Sequence, residues 1–413
     1  MVKLTGAPVS FLMFFALAQA MSLEEYGRFA FAFSLALVLA KAAALGQPQL
    51  MLRLLPGYAD AGEKWRAAMR FALRNVGVGG FLAALAMVLV GLFQGSSGYL
   101  FAAAPLCLLL AFSELQSSIL RTCEKIVWAL APREIVWRSS LILLGLGVWL
   151  SPVSGLTAAM LFAFASLSLA LVLLWQSYAD RVTRYRTSLV GDRAEVAPEW
   201  WPTSRRFWIT NLVIFGTPNL SVVVVGAIID ISESGPFFAA LKTAQLMQLV
   251  LMAANIVAMP MISKYHAAGD TTSIEAICGI VSSAAGAVAM VGLFVLAIFG
   301  APILRLFGEG FEAAHTEMVI LAIGFAISSM NGPNGPLLDM TGHERTFNRI
   351  ILVCNGIGLA SLAPAVQFGG STGASIVVAG SMILWNVWAW LACRRLAGID
   401  PSIFGVIKRA RRK

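Results

Sequence analysis

Charge is scarce in this chain. Asp, Glu, Lys and Arg make up 12% of its 413 residues, against about 25% in a typical soluble domain, while hydrophobic residues reach 59%. That balance excludes an ordinary soluble protein and implies a polytopic membrane protein. Histidine is nearly missing too: His266, His315 and His343 lie far apart, and neither HExxH nor GxSxG occurs. The usual metal and nucleophile signatures are therefore absent, and neither a metal nor a cofactor is expected. The five cysteines, Cys107, Cys123, Cys278, Cys354 and Cys393, include no CxxC pair, and most fall in apolar runs. They form neither a disulfide framework nor a zinc site. Long polar connections are also lacking, apart from the stretch Ser177 to Arg206.

What remains is a series of apolar runs. A spanning helix needs roughly 20 apolar residues, and twelve runs of about that length have cores near 4–21, 29–52, 75–94, 99–120, 135–150, 155–176, 207–229, 237–261, 275–299, 318–338, 350–368 and 373–393. The fifth is the weakest, because Glu134 and Arg138 crowd its start. With twelve spans and both termini in the cytoplasm, all but four of the 30 Lys and Arg residues fall on the cytoplasmic side. Arg28 and Arg305 fall outside, and Lys41 and Lys242 lie within spans. The formal charge of +9 thus reports topology and gives no reason to expect nucleic acid. The lipid bilayer is the expected surrounding, the stretch Ser177 to Arg206 a cytoplasmic linker, and Lys408 to Lys413 a polybasic segment on an anionic leaflet.

The first run has a competing reading as a signal peptide, since Lys3 precedes an apolar stretch ending in Ala18-Gln19-Ala20. An internal repeat argues for keeping it as a helix. Tyr58-Ala59-Asp60-Ala61-Gly62-Glu63 after the second run is echoed by Tyr265-His266-Ala267-Ala268-Gly269-Asp270 after the eighth. Tyr26-Gly27-Arg28-Phe29-Ala30 is matched more weakly by Phe237-Phe238-Ala239-Ala240-Leu241. Two six-helix halves in parallel orientation follow, 1–176 and 207–393, joined by 177–206 and ending in a basic tail, 394–413.

Several of these residues carry a family resemblance. Leu23-Glu24-Glu25-Tyr26-Gly27-Arg28-Phe29-Ala30, Leu45-Gly46 and Arg53, with Pro260-Met261-Ile262-Ser263-Lys264, Gly269-Asp270, Asn331-Gly332-Pro333-Asn334-Gly335-Pro336 and Thr341-Gly342, resemble the polysaccharide-transport branch of the MOP flippase superfamily, which includes Wzx-type O-antigen and capsule flippases. The resemblance implies an all-α membrane protein of two six-helix lobes around a central cavity. It implies a transporter, not an enzyme, that moves undecaprenyl-diphosphate-linked oligosaccharide from the cytoplasmic to the periplasmic leaflet of a bacterial inner membrane, for lipopolysaccharide or other surface polysaccharide. Polysaccharide assembly proteins are its candidate protein partners. The related lipid II flippases usually have fourteen helices, and this chain has room for twelve. A cation-coupled multidrug-type exporter is an alternative transporter. A membrane glycosyltransferase or polymerase is a weaker one, because the outer connections are short except for about 300–317.

Candidate site residues come from the charges inside spans. Lys41 lies 13 residues from Arg28 and 12 from Arg53, near the middle of the second run, where a lysine costs about 2.5–3.5 kcal/mol to insert. It is a candidate phosphate-binding cation or one half of a buried ion pair. Arg28 and Arg53 are candidate substrate contacts or interfacial anchors, and one continuous helix would put them on nearly the same face, with Lys41 on another. Lys242 begins a polar series, Gln245, Gln248 and Asn255, suited to a cavity or to helix packing. Glu114 is the coupling candidate: a titrating carboxylate, or a salt link to Arg121 two turns away. Asn331 to Pro336 cannot continue a regular helix, and Pro333 and Pro336 mark a hinge, a cavity wall or a helix end. Trp385, Trp388 and Trp390 read as core and interface aromatics more than as a sugar-stacking platform.

Overall fold

The computed structural model describes residues 2–58, 62–95, 98–151, 155–179 and 197–405. Arg181, Arg184, Arg186 and Arg193 of the central stretch, Ala59 to Ala61 of the repeat, and the run Lys408 to Lys413 lie outside the described residues. Among the described residues all regular structure is helical. Nine helical stretches among the described residues are long and apolar enough to cross a membrane.

In chain order the helices are α1 (Val2–Ala20), α2 (Leu23–Ala43), the short α3 (Gln47–Leu54), α4 (Glu63–Phe93), α5 (Gly98–Thr122), α6 (Ile126–Ala131), α7 (Arg138–Trp149), α8 (Ala158–Ala179) and α9 (Trp200–Ile228). There follow α10 (Ser234–Gln245), α11 (Leu249–Ala267), α12 (Thr271–Arg305), α13 (His315–Asn331), the short α14 (Asn334–Met340) and α15 (Glu344–Ala392). The chain divides into two compact units, Met1–Val223 and Val224–Lys413, so the boundary falls inside α9.

Within the N-terminal unit, Ser22 caps α2 by accepting a hydrogen bond from the Glu25 amide, and Glu24 and Glu25 sit in its first turn, where the helix dipole favours acids. The aromatic rings of Phe14, Phe29 and Phe33 pack at centroid separations of 5.3–6.4 Å, with Phe162 of α8 against Phe29, and pin α1, α2 and α8 together. The second run is not one helix. α2 ends at Ala43, and Leu45 (φ 47°) and Gly46 (φ 71°) turn the chain into α3. Gly46 is required twice: it takes a left-handed φ, and a Cβ on it would lie 2.2 Å from the Ser204 carbonyl oxygen of α9. Arg28 and Arg53 therefore sit on different helices, and the shared face expected of them does not exist. The weak fifth run is longer than its apolar core. α6 passes through a π-helical turn, Pro132–Trp137, into α7, so the polar start of the run is helical as well.

The C-terminal unit opens with α10 and α11, joined through a 3-10 turn, Leu246–Gln248. Both second helices of the proposed repeat are thus interrupted, one at Leu45-Gly46 and the other at Leu246–Gln248. Asp270 caps α12 through the Ser273 amide and hydroxyl. Beyond its first turns α12 exposes Ile280, Val291, Phe294, Ile298 and Phe299, a surface suited to lipid. α15 comprises two helices, because Gly370 (φ 61°, ψ −149°) breaks it in the middle. Its core packs Ile262, Cys278, Leu337, Leu338, Cys354 and Cys393.

Candidate functional site

In the N-terminal unit, Lys41 on the last turn of α2 forms an ion pair with Glu114 of α5. The side chains are 18% and 17% exposed, which is low for two formal charges. The Phe215 ring of α9 lies 4.3 Å from the Lys41 Nζ, adding a cation–π contact. Arg121, one helical face along α5, and Arg133 of the π-helical turn also act on Glu114 electrostatically. Arg121 directs Nε to Ser117 O and, at 2.9 Å, Nη2 to Ser118 Oγ, and the direct ion pair of Glu114 is with Lys41 where a link to Arg121 was expected.

The π-helical turn supplies the rest of the cluster. Arg133 and Glu134 lie within it, and Arg138, just after it, places Nη1 2.8 Å from the Gly6 carbonyl of α1 and 2.5 Å from Glu134. Arg133 Nε, 3.8 Å from Glu134 Oε1, is buried and makes no hydrogen bond among the described residues. Counting Lys41, Arg121, Arg133 and Arg138 against Glu114 and Glu134, the cluster carries a net positive charge. Arg121 and Arg133 were legible only as basic residues beside spans; nothing in their spacing pointed to Glu114.

Other expected residues lie elsewhere. Arg28 reaches Glu24 at 2.6 Å and also Glu25, whose other oxygen accepts from the Ala158 amide, so it sits in a clamp at one end of α2. Arg53 is exposed on α3. In the C-terminal unit, Lys242 Nζ lies 5.0 Å from the Phe238 ring and 3.4 Å from Gln245 Oε1, and Gln248 donates to Met382 Sδ. The 3-10 turn between α10 and α11 changes the register of this polar series.

The segment Asn331 to Pro336 is a true helix break. α13 ends at Asn331, Gly332 adopts φ 73° and ψ −155°, and α14 starts at Asn334 with Pro336 in its first turn, where a missing N–H costs nothing. The break is buried: Asn334 Nδ2 donates to Asn386 O, and Cys393 Sγ to Asn334 O. The chain after α15 folds back onto it. Asp400 accepts from Trp390 Nε1, Ser402 N and Ser402 Oγ, fixing a strap whose Pro401 carbonyl touches Gly332. Trp385 packs edge-on to Phe347 and Trp390 serves the strap, which makes both structural. One buried acid lies where only an outer connection was expected. Glu317, 5% exposed in the first turn of α13, accepts from Ser371 Oγ at 2.9 Å and Thr372 Oγ1 at 2.7 Å just past the Gly370 kink. Its position at the end of an apolar run gave no sign of burial.

No protein-family model and no curated protein matches the sequence. The fold has solved relatives. A multidrug-resistance MATE family transporter of the MOP superfamily, in an inward-facing conformation, aligns with TM-score 0.71 at 11% identity over 96% of this chain and 95% of its own. The lipid II flippase MurJ, in an inward closed conformation, aligns with TM-score 0.67 at 14% identity over 95% and 86%. A MOP superfamily transporter from Pyrococcus furiosus, described as having a binding pocket of reverse polarity, aligns with TM-score 0.63 at 13% identity over 95% and 93%. The chain therefore shares the fold of these solved structures.

Proposed function

We propose that this protein is a flippase of a bacterial inner membrane, with both termini cytoplasmic, that moves an undecaprenyl-diphosphate-linked oligosaccharide from the cytoplasmic to the periplasmic leaflet for surface polysaccharide such as O-antigen. The observation that carries this reading is the half-buried basic cluster around Lys41, with its net positive charge inside a MOP-type transporter fold. An anionic headgroup needs such a partner at membrane depth, whereas a cationic drug would be repelled by it. The cycle is alternating access: basic side chains hold the diphosphate, the polyprenyl tail stays in lipid, and rearrangement of the helices exposes the headgroup to the other side. Pro333 and Pro336, at the buried helix break, are hinge candidates for that rearrangement. Lys242, with its aromatic and amide neighbours, is a second candidate contact for the sugars.

A multidrug-type exporter is the second reading, supported by the MATE likeness and by a carboxylate, Glu114, set within a span. Deleting the gene from its own bacterium discriminates the two. A flippase deletion leaves lipid-linked oligosaccharide accumulated in the cytoplasmic leaflet; wild-type amounts there, together with increased sensitivity to cationic drugs, identify the exporter.

A further inference from the structure

We propose that Lys41, Arg121 and Arg133 form a diphosphate site whose anion position is held, in the absence of ligand, by Glu114, and that an arriving diphosphate displaces Glu114, which then takes up a proton from water. This deepens the flippase reading and rests on it.

Three features support the exchange. The charged groups that act on Glu114 are all cations and come from separate elements: Lys41 from α2, Arg121 from its own helix and Arg133 from the π-helical turn. α8 and α6, which pack against α5, bring no acid or base from their apolar bodies. α4 keeps its charged residues, Glu63 to Arg74, in its first four turns, and α3 brings only the exposed Arg53. Lys41, Arg121, Arg133 and Arg138 stand against Glu114 and Glu134, which leaves two positive charges over and matches a diphosphate better than it matches Glu114 alone. Second, Arg133 Nε is buried and, at 3.8 Å from Glu134 Oε1, makes no hydrogen bond among the described residues, so this donor retains its capacity for an anionic oxygen. Third, Glu134 is shared, with one oxygen 2.5 Å from Arg138 Nη1 and the other 3.8 Å from Arg133 Nε, so it neutralises neither arginine alone.

Once a diphosphate lies against Lys41, Glu114 stands beside negative charge instead of positive. Two anions sharing a site favour protonation of one of them, so the carboxylate accepts a proton as it loses its partner. The balance is simple: one Lys41–Glu114 ion pair is exchanged for one Lys41–phosphate pair and one O–H bond on Glu114, the proton coming from water on the side from which the ligand binds. Ligand release reverses both changes, so each passage of a headgroup through the site carries a proton with it.

Calorimetry on the full-length protein in lipid nanodiscs tests this, using inorganic pyrophosphate and farnesyl diphosphate in buffers of differing ionisation enthalpy, with the proton count taken from farnesyl diphosphate at a mildly alkaline pH where it is already ionised. The expected result is proton uptake on binding, with affinity falling about tenfold for each pH unit of increase. Glu114→Gln should bind several-fold more tightly, without uptake. Lys41→Met and Arg133→Gln should each bind at least about tenfold more weakly, as loss of a charge-assisted contact implies. Wild-type binding without proton uptake, or uptake that persists in Glu114→Gln, overturns the exchange and leaves the flippase reading intact. Absence of binding to either probe overturns the diphosphate site itself. The wild-type proton count decides the question even where a variant fails to fold.

Discussion

The carbonyl oxygen of Pro401 lies so close to Gly332 that a Cβ on the glycine would sit 2.5 Å from it. The strap after α15 therefore closes over the one place where α13 and α14 lack a continuous helical ladder. Gly332 also takes a backbone conformation (φ 73°, ψ −155°) open almost only to glycine. Gly332→Ala is expected to cost roughly 1–3 kcal/mol from backbone strain alone, and more once the contact is forced. Thermal unfolding in detergent should show a clear loss, and an unchanged melting temperature would mean that the strap yields without cost.

Trp390, Ser402 and Asp400 hold that strap from below. Asp400→Asn keeps one acceptor oxygen but weakens a junction now made by an ionised acid. The expected outcome is easier proteolytic release of the segment after Ala397, with α15 left intact, read by limited proteolysis and mass spectrometry.

For Lys41 and Glu114, removal of one partner leaves a poorly solvated charge, whereas removal of both does not. Each single substitution, Lys41→Met or Glu114→Met, should destabilise by about 3–5 kcal/mol, and the double substitution by much less. A double-mutant cycle on thermal or denaturant unfolding measures the difference. Strict additivity would show that the two charges are independently solvated.

Asp339, at the end of α14 and beyond the spanning part of α13, is predicted to give a pH signature. Burial, helped by the nearby negative charge of Glu344, raises its carboxyl from the ordinary 3.8 to about 6. A raised carboxyl binds its proton more tightly in the folded state, so its contribution is favourable at low pH and is lost as pH rises from about 4 to about 6. Asp339→Asn should remove that slope and improve stability at neutral pH relative to the wild type. A slope that survives the substitution would assign it to another group.

Much of the architecture was readable because it rests on two strong signals: apolar runs long enough to span, and basic residues placed to one side of them. The breaks were less evident. Asn331 to Pro336 announced itself through two prolines, but the turn at Leu45-Gly46 had one glycine in an apolar run and no proline until Pro48, so the second run read as a single helix. The site was legible as a set of charges, not as a set of partners. Lys41 and Glu114 are 73 residues apart, and their meeting depends on how α2 packs on α5, which no local pattern encodes. Arg133 was obscured because its π-helical turn looked like the poor start of a weak span. Glu317 was obscured because its burial depends on Ser371 and Thr372, 54 and 55 residues further on.

The docking of α9 on Gly46 also orders events during synthesis. Ser204 Oγ donates to the Leu45 carbonyl and accepts from Gln47 Nε2, across 157 residues of chain. At ~5–20 residues per second, translation takes roughly 8–30 s to cover that distance. For that interval the Leu45 carbonyl and the Gln47 side chain lack the partner that Ser204 later supplies, so the turn between α2 and α3 is completed only when α9 arrives.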